Sequence, residues 1–485
     1  MNPRPNLRVA GILILLLVSA GCMVGPNYRR PSAPAPPAFK EEPPVNFKEA
    51  EAAGWKPSQP GDAYAKGRWW ELYNDVALNA LEEQVSVSNQ NVLQAEAQYR
   101  QAKAAVGVAR AALSPTVTTA PSITAAEGAA AGSSSGASGF RKSFSLPFNV
   151  AWEPDLWGNI RRGVTASAAT AQSLAANVAN ARLLYQAELA QDYFGLHGND
   201  GEAELLTRTE ASYEEYLTLT RNRFSAGVAS DLDVAQAESQ LYGVQSQLMD
   251  LGVQRAAFEH AIAILIGKAP AELTIPPVTL NTSPPPAPLG VPSELLERRP
   301  DIASAERQVA AANEQIGIAM AAFYPNLSLT GSAGLDSSSL AKWFTWPSRF
   351  WSVGPQLAET LFDAGRRRAV VAEQRAAYDA TVAAYRETVL TAMQQVEDNL
   401  AALRILAGEA DKVQQTVQAA NRALDISAAQ YRAGTAGYLT VITSQATLLS
   451  ADVTAVTLLT RRLTASVLLI EGLGGGWNAS QLPTK

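Results

Sequence analysis

Two segments 207 residues apart carry nearly the same text, and nothing else in the chain narrows its possible folds so far. The first runs Phe224-Ser225-Ala226-Gly227-Val228-Ala229-Ser230-Asp231-Leu232-Asp233-Val234; the second runs Tyr431-Arg432-Ala433-Gly434-Thr435-Ala436-Gly437-Tyr438-Leu439-Thr440-Val441. An aromatic residue, the Ala-Gly pair, and Ala, Leu and Val recur at matching places. Each copy interrupts a long proline-free, alanine-rich stretch. Further out, Ala112-Leu113-Ser114-Pro115 answers Ala322-Phe323-Tyr324-Pro325 at an offset of 210. The chain therefore reads as two copies of one unit. Each copy is expected to carry a long helical hairpin with a glycine turn at its tip, since glycine enters such turns without steric cost.

The first 21 residues stand outside that pattern. Arg4 and Arg8 precede an apolar run from Val9 to Val18, then Ser19-Ala20-Gly21 and Cys22. This is the build of a secretory leader, too short to span a bilayer stably. Cys22 is the only cysteine, which excludes a disulfide framework and a cysteine-based zinc site. Its place resembles a lipobox, the processing site of bacterial lipoproteins, although Ser19 stands where that motif usually has leucine. The alternative is an ordinary leader followed by an unrelated cysteine. The formal net charge is −6 and becomes more negative once Arg4 and Arg8 leave. No basic excess remains to neutralise phosphates, which argues against a nucleic-acid partner.

Proline and periodicity divide the rest. Prolines crowd the stretch from Pro26 to Pro60, so residues 22–68 read as an extended arm. Residues 69–275 form the first copy, with helical pattern over 70–114 and 156–268 and strands at about 116–125 and 142–153. A proline-rich linker, 276–292, leads to the second copy, 293–476, with helical pattern over 293–323 and 362–472 and strands at about 325–335 and 350–360. Residues 477–485 are a tail. As one helix, the limb from Ile160 to Phe224 would reach roughly 95 Å, longer than a compact domain needs.

The clearest strand alternates Phe144, Leu146, Phe148, Val150 and Trp152 with small or polar residues, giving one apolar face. Aromatics gather near the strand ends: Phe144, Trp152, Trp157, Trp346 and Trp351. Membrane barrels carry such girdles, but need at least eight strands. Open sheet edges are not tolerated in lipid. Four strands spanning a membrane would therefore oblige several chains to share one barrel. The alternative is a small soluble sheet capping the helices.

With these pieces in place, the chain resembles outer-membrane efflux proteins of the TolC/OprM type, in particular the lipoprotein branch. The matching residues are Cys22-Met23-Val24-Gly25-Pro26-Asn27-Tyr28 with Pro31, Trp69-Trp70, the two glycine turns, Leu295-Leu296-Glu297-Arg298-Arg299-Pro300-Asp301-Ile302, Ala322-Phe323-Tyr324-Pro325 and Phe362-Asp363-Ala364-Gly365. The resemblance implies a mainly α protein with a membrane β-barrel portion. Three protomers would give four strands each to one 12-stranded barrel and join their helices in a periplasmic tunnel. It implies a passive exit duct for drugs or other toxic compounds, in the outer membrane of a Gram-negative bacterium. The duct would dock onto a periplasmic adaptor and an inner-membrane transporter. Met23, after the cysteine, fits outer-membrane rather than inner-membrane sorting, and lipid on Cys22 would be the only prosthetic group.

The resemblance also assigns roles. The tips, Phe224, Ala226, Gly227 and Val228 with Tyr431, Arg432, Ala433, Gly434 and Thr435, would contact the adaptor; glycine closing a helical hairpin is the plainer reading. Asp425 occupies the motif position of a gate acid, and in a threefold tunnel it would form a ring of carboxylates. Where some members have a second acid, this chain has Arg422, which suggests an ion pair instead. Arg221 and Arg223 would sit at the same height in the other hairpin.

No catalytic constellation is legible. His197 and His260 lie in helical stretches without a ligand set, and no metal site is expected. Gly472-Leu473-Gly474-Gly475-Gly476-Trp477 follows an apolar helix end rather than a strand, so it reads as helix termination. Two further readings stay open: an exit duct for secreted proteins, and a non-pore structural lipoprotein, which would have no use for the alternation from Phe144 to Trp152.

Overall fold

The computed structural model describes residues 23–41, 67–129, 138–285 and 294–483. Cys22, and with it the lipidation expectation, lies outside the described residues. The described chain is mainly helical, with a smaller antiparallel sheet.

The segment 70–114, expected as one helix, is three pieces: a one-turn 3-10 helix, Trp69–Tyr73, then α1, Val76–Ser88, and α2, Gln90–Ala111. Two caps cause the breaks. Asp75 accepts from the amides of Ala77 and Leu78 at 2.8 and 3.0 Å. Asn89 accepts from Asn91 and Val92 at 2.9 and 3.1 Å, while its side-chain amide donates to Leu265 O. Short polar side chains bond nearby backbone in this way at the cost of helix continuity.

Next come β1, Thr116–Thr119, β2, Ser122–Ala129, and β3, Ser138–Trp152. β1 and β2 keep one register against β3, with Thr119 opposite Phe148 and Ser122 opposite Ser145. They are one strand, longer than the expected 116–125, interrupted where Pro121 can donate no ladder bond. Helix α3, Asn159–Ser225, and α4, Asp231–Leu265, form the first hairpin. The expected helix 293–323 is instead α5, Leu295–Arg298, and α6, Pro300–Ala321. The split falls at Arg299, because the residue before a proline avoids helical backbone and proline suits a first turn. Then follow β4, Asn326–Ser337, β5, Arg349–Ala358, and the second hairpin, α7, Arg366–Arg432, and α8, Tyr438–Gly472.

The two hairpins have matching dimensions. α3 and α7 have 67 residues each, and α4 and α8 have 35 each. Each long limb thus extends about 100 Å. Both begin after a left-handed glycine, Gly158 (φ 82°) and Gly365 (φ 89°). A carboxylate closes each start. Asp155 accepts from the amides of Ile160 and Arg161, and Asp363 from those of Gly365 and Arg367. Each acid also pairs with an arginine guanidinium, Arg161 or Arg367, so free amides at the helix start and the acid's charge are satisfied together.

The sheet order is β1/β2, β3, β4, β5, all antiparallel, and neither outer edge is paired among the described residues. Residues directly opposite in such pairs share a face. The register joins Val117, Val150, Gly331 and Val353 in one row, and Thr119, Phe148, Ala333 and Trp351 in another. The opposite face carries Thr118, Asn149, Ser332 and Ser352. One face is thus apolar across all strands and the other hydroxyl-lined, with Ser332 donating to Asn149 Oδ1 at 2.8 Å.

The helices bury two cores. The larger joins Trp69, Trp70, Tyr73, Leu78, Phe194, Leu196, Tyr385, Val396 and Leu469; the smaller lies toward the tips around Tyr213, Leu241, Tyr431, Tyr438 and Val441. The arm, 23–41, is laid along the body. Val24 N donates to Trp157 O (3.0 Å), Asn313 Nδ2 to Pro26 O (3.2 Å) and Arg30 to Leu296 O (3.0 Å), while Tyr28 bonds Glu306. The amides of Lys40 and Glu41 both reach the Glu397 carboxylate.

Candidate functional site

At each tip the long helix ends in an alanine cap, Ala226 or Ala433, followed by a left-handed glycine, Gly227 (φ 74°) or Gly434 (φ 73°). Val228 N and Ala229 N fold back to Arg223 O, and Thr435 N to Gln430 O, closing carbonyls that the helix leaves open. An added Cβ on Gly227 would meet nothing within 4 Å, and one on Gly434 only Arg223 Nη2 at 3.6 Å. Glycine is therefore required by backbone angle and not by space.

The first tip continues into a capping box, Ser230 with Asp233. The second has Gly437 there and no side-chain cap. Phe224, Ala226, Val228, Arg432, Ala433 and Thr435 are exposed. Tyr431, however, is buried, with its ring 5.3 Å from Tyr438 and its hydroxyl 3.2 Å from Thr220 Oγ1. The repeat equivalence of Phe224 and Tyr431 thus does not extend to exposure. Arg223 ties the tips together. It donates to Tyr431 O at 2.6 Å and stacks over the Tyr431 ring at 4.5 Å.

Asp425 and Arg422 are both exposed on α7. Among the described residues of one protomer the expected pairing around Asp425 is not formed: Arg223 is held by Tyr431, and Arg221 bonds Glu238 at 2.6 Å. Asp425 does share a neighbourhood with Tyr216 and Arg432. Burial pushes the Tyr216 phenol up; Arg432 opposes that, while Glu215 and Asp425 add to it.

At the other end of the long helices the sheet meets the body. Trp152 Nε1 donates to Leu113 O (3.0 Å), and Trp157 Nε1 to Pro325 O (2.8 Å), with Trp157 stacked on Tyr324 at 4.8 Å. Met23 packs against Gly158, where any Cβ would lie 2.8 Å from Met23 Cγ. Of the alternating residues of β3, Phe148 and Val150 are exposed, Leu146 and Trp152 are half-buried, and Phe144 is covered by Trp343 at 5.7 Å.

Three buried networks were not visible in the sequence. Arg162, 1% exposed, donates to Glu314 at 2.6 Å and to Val24 O at 2.7 Å. His197 contacts Asp200 at 2.9 Å, and Asp200 also accepts from Arg255 and from Val278 N, so this cluster pins the linker to the first hairpin. Burial alone would raise the Asp200 carboxyl; the bonds from His197, Arg255 and Val278 outweigh it and hold it low. His260 is exposed. Arg299 forms the third network, clasping Asp301 (2.6 Å) and Gly472 O (3.0 Å), just where α8 ends in left-handed Gly474, Gly475 and Gly476.

Beside that clasp, burial pushes Glu471 up to about 7, with Arg299 opposing and Asp301 and Glu188 adding; burial and Glu188 push Asp192 up to about 6. Both acids hold protons in the folded chain that the unfolded chain has already lost. The folded state therefore loses stability as pH rises from about 4 toward 7. Asp192→Asn with Glu471→Gln is expected to raise stability at pH 8 by on the order of 1 kcal/mol per site after solvent screening, with no gain at pH 4. Thermal melts across that range check this; parallel pH profiles of parent and variant would refute it.

The family model for outer membrane efflux protein matches residues 81–268 and 291–475. The toluene efflux pump outer membrane protein TtgC of Pseudomonas putida is 30% identical over 469 residues, covering 96% of this chain and 95% of the relative. Outer membrane protein OprJ of Pseudomonas aeruginosa is 31% identical over 488 residues, covering 98% and 97%. The solved structure of the outer-membrane channel OprN superposes with a TM-score of 0.85 at 29% identity, covering 94% of this chain and 100% of that one.

Proposed function

The chain belongs to the outer membrane efflux protein family and resides in the outer membrane, and from that premise we propose that three copies form a passive exit duct for small toxic compounds. The observation that carries the reading is the open sheet. It has an apolar face, a hydroxyl-lined face and two edges unpaired among the described residues, and no such sheet persists in lipid without partners to close it. Three copies would give a 12-stranded barrel whose hydroxyl face lines the lumen. The name of TtgC refers to toluene, and by likeness we assign small apolar compounds as cargo. Family members are channels, and the duct needs no reaction chemistry.

The remaining assignments follow from position. Met23 lies at the sheet-to-helix boundary, so acyl chains on Cys22 would enter the membrane there as a second anchor. The exposed tips, at the far end of the long limbs, are the docking surface for an adaptor that links the duct to an inner-membrane transporter. Asp425, without an ion pair among the described residues of one protomer, forms the gate as a ring of three acids that repel one another until a cation or a neighbour's arginine intervenes; Arg422 is the nearest basic candidate along α7.

One set of measurements tests the whole. The parent should crosslink as a trimer and conduct only weakly in a planar bilayer, and Asp425→Ala should conduct more at rest with weaker cation selectivity. Gly227→Asp with Gly434→Asp should leave conductance intact but abolish drug export by cells. A parent that never conducts sinks the duct; an Asp425→Ala trace like the parent's sinks the gate; normal export by the double variant sinks tip docking.

A further inference from the structure

The end of the sheet remote from the helices is built unlike the end near them. On its apolar face, β3 continues past Phe144 to Lys142 and Phe140, and Lys142 Nζ lies 5.5 Å above the Phe140 ring. β5 opens with Arg349, whose guanidinium lies 3.5 Å above the Trp346 ring. Trp346 and Phe344 in the loop between β4 and β5 are 75% and 71% exposed, and Lys342 is exposed beside them.

None of these three cations forms an ion pair among the described residues. Among the described residues the only acid on this end of the face is Glu127, opposite Phe140. Asp336 turns to the other face, where Ser143 donates to it at 3.4 Å. The loop sequences, 128–139 and 338–348, contain no acid at all.

Height along the sheet fixes what could lie against this end. From Trp152 to Phe144 is about 27 Å of strand, or roughly 20 Å of height at the usual barrel tilt, close to the apolar band of a membrane barrel. Lys142 and Arg349 then stand at the level of headgroups, with their stems and the aromatic rings against acyl chains below. Cations beside aromatics just beyond an apolar band suit a ligand that is greasy below and carries clustered negative charge above.

We propose that this collar binds the phosphate groups of the phosphorylated glycolipid of the outer leaflet. The placement rests on the duct reading, which puts the helices in the periplasm and this end at the cell surface. Lys142, Lys342 and Arg349 contact the phosphates, and Phe140 and Trp346 hold two of the cations in place.

The test uses the full-length protein in zwitterionic nanodiscs, titrated with bis-phosphorylated lipid A, with dephosphorylated lipid A and with phosphatidylglycerol. The expected result is tight binding of the phosphorylated form alone. The variant Lys142→Gln, Lys342→Gln, Arg349→Gln should weaken it roughly a hundredfold, since each basic side chain at a membrane surface contributes about a factor of five. The charge-preserving variant Lys142→Arg, Lys342→Arg, Arg349→Lys should retain it, which guards against a folding artefact. Unchanged binding by the glutamine variant overturns the proposal. So does equal binding of the two lipid A forms, or of phosphatidylglycerol, which would mean unspecific attraction to anionic lipid. Loss of bilayer conductance in the parent, with phosphate-selective binding intact, would sink the duct reading and leave the collar standing.

Discussion

Glu314→Ala is expected to cost about 3–5 kcal/mol and to free the N-terminal arm. Arg162 is 1% exposed, and Glu314 is its only charge partner among the described residues. Removing the acid leaves a guanidinium in the interior with the Val24 carbonyl as its sole acceptor among the described residues. A buried ion left without its counter-charge carries that order of penalty. Arg162 cannot retreat, because Gly317 already presses on it: a Cβ there would lie 2.4 Å from Arg162 Cδ. The same crossing seats Gly25, whose added Cβ would sit 2.6 Å from Gly317 Cα. Disturbing Arg162 therefore disturbs the start of the arm. Denaturant melts should show the loss, and limited proteolysis should cut earlier within residues 23–41. Arg162→Met with Glu314→Leu should recover much of the stability, since paired apolar replacement avoids the orphaned charge. A cost under about 1 kcal/mol for Glu314→Ala would mean that water or a neighbouring copy reaches Arg162.

Phe148→Arg is expected to prevent most of the protein from entering the membrane. Phe148 is 49% exposed at the middle of the apolar face, in the row with Thr119, Ala333 and Trp351. None of these offers a counter-charge. A charge facing lipid near mid-bilayer costs about 2–4 kcal/mol per site, and a threefold assembly would incur it three times. Asn149→Arg, one residue along on the hydroxyl face, should insert normally, which separates a facing effect from a strand effect. Outer-membrane fractionation and trimer yield read the difference. Equal insertion of the two variants would show that the two faces of β3 do not meet different solvents.

The tips and the long limbs were legible because their signals are local: an Ala-Gly turn inside proline-free alanine-rich text needs no tertiary knowledge. The apolar row of β3 was legible for the same reason, as its period is two. The breaks at Asn89 and Arg299 were also written locally, as an Asn cap and an Arg-Pro junction, but helical periodicity on both sides masked them. Burial could not be read. Phe224 and Tyr431 occupy one repeat position, yet Tyr431 packs on Tyr438 while Phe224, whose hairpin has Asp231 at that place, stays exposed. Within one protomer, among the described residues, Arg221 and Arg223 meet Glu238 and Tyr431 rather than Asp425. Side chains 17 or 208 residues apart meet only once the hairpins are packed. The run from Leu295 to Ile302 gained its meaning from Gly472, at the far end of the chain.

The equal lengths of the two hairpins carry a consequence for how far the molecule reaches. Two stretches of chain, each 67 residues up and 35 back, must end level for Arg223 to touch Tyr431. One extra turn in a single limb would put the tips about 5.4 Å out of step, beyond the span of any hydrogen bond between them. The reach is thus specified twice over, like a ladder whose rails are cut separately, and it can change only when both rails change together.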